Sequence, residues 1–148
     1  MSLYPLVGMR MCLQSILWRW RFVISLASVI LIASGRGSVA APDIVDFDKL
    51  AHFSIYGLLA TLVARAGFPG SRAWWAVLLV SLFGLSDEWR QSFTPGRSVE
   101  VYDWLADTLG AFIAVTFYTK WERYRHVLEY PLKWRNARVE KSVRVVPN

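Results

Sequence analysis

From Trp74 to Phe83 the chain runs Trp-Trp-Ala-Val-Leu-Leu-Val-Ser-Leu-Phe, with no polar stripe at the 3.6-residue period of a surface helix. Phe22 to Ala33 has none either. Helices that are apolar all round belong in lipid or at the centre of a large core. Four apolar stretches stand out: Ile16 to Ser34, Leu50 to Ala64, Ala73 to Ser86 and Trp104 to Thr119. A chain of 148 residues cannot bury four of them. Each uncharged core is shorter than the roughly 20 residues of a spanning helix and reaches that length by absorbing polar residues at its ends. A soluble bundle of short helices would show the stripe that is missing. The expected fold is therefore all-α: a polytopic membrane protein, a bundle of four transmembrane helices.

Composition agrees. Hydrophobic residues make up 55% and charged residues 19%, the opposite of a disordered chain. One Cys excludes an internal disulfide and a Cys-based zinc site. The net charge of +6 invites a nucleic-acid reading, but placement decides. Basic residues number three in residues 1–21, two in the second loop (Arg65, Arg72) and eight in the tail from Lys120, thirteen together. The alternate loops hold four: Arg36 and Lys49, then Arg90 and Arg97. The positive-inside rule puts both termini in the cytoplasm. Four spans return the chain to its starting side. Trp18, Trp20, Trp74, Trp75 and Trp121 fall at one interface and Trp89, Tyr102 and Trp104 at the other.

The expected layout is a cytoplasmic N-terminus at 1–15 and a membrane domain at 16–119. Its spans lie at about 16–35, 48–65, 72–91 and 102–120. A basic cytoplasmic tail follows at 121–148. Nothing in that tail builds a folded basic face, so membrane lipids rather than nucleic acid are its expected partner. The first span has a competing reading as a signal peptide, since Ser38-Val39-Ala40 resembles a small-residue cleavage site. A 21-residue basic segment ahead of it and Gly35-Arg36-Gly37 before the site favour retention.

Ionisable groups are costly in a bilayer and mark function. Three clusters occur. Asp48, His52 and Tyr56 fall at i, i+4 and i+8, with Lys49 beside the first. Asp87, Glu88 and Gln91 end the third apolar stretch, and Asp103 and Asp107 open the fourth. All three lie at the external ends of their helices. Between the last two, Thr94-Pro95-Gly96-Arg97 suits a type II turn that folds Arg97 back over the helix ends. Small residues at Ala106, Gly110 and Ala114, and at Ala60 and Ala64, permit close helix approach.

Asp48-Lys49-Leu50-Ala51-His52-Phe53-Ser54-Ile55-Tyr56 resembles the D-K-x-x-H-x-x-x-Y signature of VanZ-like membrane proteins. Asp87 to Ser98 resembles that family's D-E-x-x-Q-x-F-x-P-G-R-S, and Asp103 to Gly110 its D-x-x-x-N-x-x-G. Asp107 stands where the family usually has Asn. The resemblance implies a small multi-pass protein of the bacterial inner membrane, from a family named for a member linked to teicoplanin resistance. It supplies no reaction.

Two readings follow. In the first, the cluster is a site at the external leaflet for a cell-envelope lipid or peptidoglycan precursor. His52 has the chemistry of a general acid or base, oriented by Asp48 or a facing carboxylate, with Glu88 the third catalytic candidate. Lys49 and Arg97 would hold a phosphate or carboxylate. Tyr56, Asp87, Gln91, Asp103 and Asp107 complete the binding set. No cofactor is required and no metal ligand is assigned, although Asp87, Glu88, Asp103 and Asp107 are oxygen donors of the type that gathers Mg²⁺ or Ca²⁺. In the second reading the cluster only fixes helix packing in an accessory protein. Five acids against Lys49, Arg90 and Arg97 leave a negative surplus that weighs against it. The sequence leaves self-association open.

Overall fold

A computed structural model describes residues 4–35, 47–93 and 100–130, with side chains from residue 16 onward except that of Phe47. All regular structure among them is helical. Helix α1 runs Tyr4–Ser34, α2 Phe47–Gly67, α3 Trp74–Gln91 and α4 Val101–Lys120, and residues 122–130 are helical as well. Each of α1–α4 carries one apolar stretch, and the last three end within about two residues of the expected bounds. The exception is α1, whose first turns lie well ahead of the expected span. Ile16–Ser34 of α1 and Asp48–Gly67 of α2 are long and apolar enough to cross a membrane. Charges at the ends of α3 (Asp87, Glu88, Arg90) and α4 (Asp103, Asp107, Lys120) dilute their apolar character.

Local chemistry sets the ends. Helix α2 opens with Asp48 and closes with Arg65, each complementing the helix dipole. Pro69 cannot continue the helix, and Gly70 turns the chain at φ 65°, a left-handed conformation that only glycine adopts freely. The 3₁₀ turn Gly70–Ala73 then feeds directly into α3.

The chain divides into two compact units, one ending at Val115. Within the first, successive helices run antiparallel. The Arg19 guanidinium donates to the Arg65 carbonyl at 3.0 Å, joining the early part of α1 to the end of α2. Tyr56 on α2 meets Phe83 on α3. Ser81 on α3 hydrogen-bonds Thr108 on α4 at 2.7 Å, and the Trp104 indole N–H donates to the Ser81 carbonyl at 3.1 Å. The end of α1, start of α2, end of α3 and start of α4 therefore share one end of this unit. In the second unit the Tyr118 hydroxyl donates to Glu129 at 2.8 Å, and Arg125 donates to the Thr119 carbonyl at 3.1 Å.

Polarity is inverted relative to a water-soluble fold. The interior combines small and polar residues, Ala60, Ala64, Ala73, Ala76 and Ala111 with Asp87, Glu88, Gln91, Asp103 and Asp107, and larger apolar ones such as Leu59, Val63, Val80 and Val115. The outer surface holds Leu17, Ile24, Val29, Ile32, Leu58, Trp75, Leu82 and Leu109. Water would penalise so large an apolar exterior. Hydrocarbon favours it, with small residues at the helix interfaces.

Glycine makes the tightest crossing. A Cβ on Gly110 of α4 would run into the Phe53 backbone of α2, 2.9 Å from its Cα. A Cβ on Gly57 would lie 3.0 Å from the Gly110 carbonyl oxygen and 3.3 Å from the Ala114 Cβ. This crossing is one residue from His52 and brings that side chain to α4.

Candidate functional site

The clusters from α2, α3 and α4 meet at the shared end, and a residue from α1 joins them. Asp87 is the hub, 1% exposed. Its Oδ1 accepts from the Ser34 hydroxyl at 2.8 Å and from the Arg90 guanidinium at 2.8 Å. Its Oδ2 accepts from Gln91 at 3.1 Å and from the Tyr56 hydroxyl at 3.3 Å. Such a carboxylate is well satisfied. Arg90 also donates to the Leu31 carbonyl at 2.9 Å and to the Ser34 hydroxyl, so one guanidinium caps the end of α1 and pairs with α3.

Beside this hub stands His52. Its Nδ1 lies 3.0 Å from Asp107 Oδ1, and its ring stacks on Tyr56 at 5.9 Å with an interplanar angle of 8°. An ionised carboxylate only accepts, so Nδ1 carries the hydrogen and Nε2 faces the other way. There it meets Asp48 Oδ1 and Asp103 Oδ2, both at 3.9 Å. Asp107 Oδ2 is buried without a hydrogen-bond partner among the described residues, packed where Gly84 leaves room. A Cβ on Gly84 would lie 2.7 Å from that oxygen.

The third group ties the start of α4 to α3. Glu88 accepts the backbone N–H of Glu100 at 3.0 Å. Lys49 lies 3.6 Å from Asp103 Oδ1 and 3.8 Å from Glu100. Lys49 thus sits against carboxylates in this arrangement. Arg97 and the Thr94–Arg97 turn lie outside the described residues.

A cleft of about 190 Å³ opens beside the cluster. Its lining mixes apolar side chains, Ile30, Ala33, Ala51 and Ile55, with polar ones, Ser34, Asp48, His52, Tyr56 and Asp87.

Sequence spacing brought forward Asp48, Lys49, His52, Tyr56, Asp87, Glu88, Gln91, Asp103 and Asp107, and all nine lie at this end of the unit. It assigned no site role to Arg90, Ser34 or Glu100. Arg90 was legible, since it follows Asp87 at i+3. Ser34 had no motif around it and enters only because α1 ends beside α3. Of the four acids read as oxygen donors for Mg²⁺ or Ca²⁺, Asp87 is saturated by hydrogen bonds. Glu88 holds a backbone amide, which leaves Asp103 and Asp107 as the pair facing His52.

No curated protein and no solved structure matches the chain. A family model described as VanZ/LLP1 matches residues 1–122. That match covers all three polar clusters and the four helices that carry them. The chain belongs to the VanZ/LLP1 family.

Proposed function

We propose that this VanZ/LLP1 member is a four-span protein of the bacterial inner membrane, with both termini cytoplasmic. In this reading the polar end of the helices faces the external leaflet and binds a cell-envelope lipid or a lipid-linked peptidoglycan precursor. The mixed lining of the cleft carries the proposal. Its apolar side chains suit an acyl or polyprenyl chain, and its carboxylates and hydroxyls suit a headgroup rich in hydroxyl or amine donors. The inverted polarity of the fold and its two long apolar helices support placement in a bilayer. The cleft lies between α1 and α2, where a lipid diffusing in the membrane plane would enter. Occupancy of such a site is the link to envelope-antibiotic susceptibility, including susceptibility to glycopeptides.

The alternative, a packing network with no ligand, draws on the hydrogen-bond saturation of Asp87. It gives the cleft no role, although Asp48 stands at its rim with a side chain 66% exposed. The test is mass spectrometry of lipids that co-purify with the full chain. Ala33→Trp fills the cleft while replacing none of the polar residues. A lipid class present with the wild type and depleted with Ala33→Trp supports the proposal. The same lipids in equal amounts in both contradict it.

A further inference from the structure

We propose that His52 Nε2, Asp48 and Asp103 form a binding site for one divalent metal ion of the Mn²⁺ or Zn²⁺ type, with Asp107 positioning the imidazole. The inference stands on the geometry of these four residues and does not require a lipid in the cleft.

The donor atoms of Asp48, His52 and Asp103 all lie within 4.8 Å of one another. Nε2 stands 3.9 Å from each carboxylate. Two ligands bound at about 2.1 Å with a tetrahedral angle are about 3.4 Å apart, so each of the two His52 distances needs a contraction of about half an ångström. Asp48 is exposed enough to move that far. An imidazole ligated through one nitrogen normally donates its other N–H to a carboxylate, which fixes tautomer and ring direction. Asp107 Oδ1 at 3.0 Å from Nδ1 supplies that contact. The stacked Tyr56 ring holds the imidazole plane.

A separate observation points the same way. Asp103 is 5% exposed, and its Oδ1 is buried with no hydrogen-bond partner among the described residues. Its nearest cation, Lys49, stands at 3.6 Å, past hydrogen-bonding distance. The other oxygen, Oδ2, is the one that faces His52 Nε2, and a buried carboxylate with neither oxygen closely held is costly without a further partner. Charge agrees in sign. Asp48, Asp103, Asp107 and Glu100 gather around Lys49 and His52, an excess of carboxylates that a cation offsets. Carboxylate oxygens suit Mn²⁺ and imidazole suits Zn²⁺, so a set of one imidazole and two carboxylates accepts either. Three protein ligands leave open positions facing the cleft, where water or an anionic headgroup would complete the shell.

The experiment titrates Mn²⁺ alone into the full chain in detergent, followed by electron paramagnetic resonance, with Zn²⁺ as competitor. The expected result is one Mn²⁺ per chain, displaced by Zn²⁺, with spin-echo modulation from a directly bonded nitrogen. Asp103→Asn and His52→Gln should each weaken binding at least tenfold, and Leu85→Ala, on the exposed face of α3, should leave it unchanged. Asp48→Asn serves as a further variant, because its exposed position tolerates the change even where a buried substitution fails to fold. Absence of stoichiometric binding by the wild type overturns the proposal. So does binding that survives Asp48→Asn with unchanged affinity, or a bound ion without nitrogen coupling. Because the titration uses metal alone, its failure leaves the lipid co-purification result standing, and the reverse also holds.

Discussion

The Nδ1 of His52 lies 3.0 Å from Oδ1 of Asp107, and this contact between α2 and α4 sets the direction of the imidazole. It exists because Gly110 lets α4 approach the Phe53 backbone and because Gly84 leaves space for the other Asp107 oxygen. Asparagine keeps the shape and one acceptor but loses the charge. Asp107→Asn is expected to fold normally and to weaken Mn²⁺ binding by about tenfold, the lower end of the range for an outer partner of a metal ligand. Side-by-side Mn²⁺ titration and thermal unfolding in detergent check this.

Gly84→Ala should cost more than its one methyl group suggests. The added Cβ would stand 2.7 Å from Asp107 Oδ2 and 3.3 Å from the Tyr56 ring, both in a tightly packed interior. Overpacking of this kind costs about 1–3 kcal/mol. The expected outcome is a lower unfolding temperature together with weaker metal binding. Leu85→Ala, on the exposed face of α3, should change neither by a comparable amount.

Much of this was legible beforehand because helices are local objects. The apolar runs located α1 to α4, and i, i+4 spacing put Asp48, His52 and Tyr56 on one face of α2. The small-residue repeat at Ala106, Gly110 and Ala114 announced a close crossing. What spacing cannot carry is the identity of a partner on another helix. Gly57 and Gly84 looked like unremarkable glycines until the atoms opposite them were known. Ser34 closes an apolar helix without any motif, yet it hydrogen-bonds the hub carboxylate. Arg90 was counted as a charge, and only the end of α1 beside it explains why a guanidinium is needed there. The role foreseen for Arg97 falls on a segment outside the described residues.

Asp87 and Arg90 should behave as a coupled pair. Removing one partner of a buried ion pair costs about 3–5 kcal/mol, and the partial exposure of Arg90 places this pair at the low end. Arg90→Met leaves the buried Asp87 carboxylate short of its cation, and Asp87→Asn leaves Arg90 without its anion. The double variant should lose less stability than the two singles added together, by about 1 kcal/mol or more. A double-mutant cycle on detergent unfolding midpoints measures the difference.

The charge distribution predicts sidedness. Reporter fusions at Pro69 and at the C-terminus should read cytoplasmic, and a fusion at Pro95 external. An external C-terminus would contradict the four-span reading and with it the assignment of the polar end to the outer leaflet.

The most direct measurement separates a site that acts on a ligand from one that only holds helices together. His52→Gln keeps hydrogen-bonding capacity at Asp107 and removes the imidazole. The assay is susceptibility to an envelope-directed glycopeptide in a deletion strain carrying wild type or His52→Gln at matched protein level. The ligand-binding account predicts that His52→Gln accumulates like wild type and fails to restore susceptibility to the wild-type value. Full restoration by His52→Gln would contradict it and leave the cluster as a packing network.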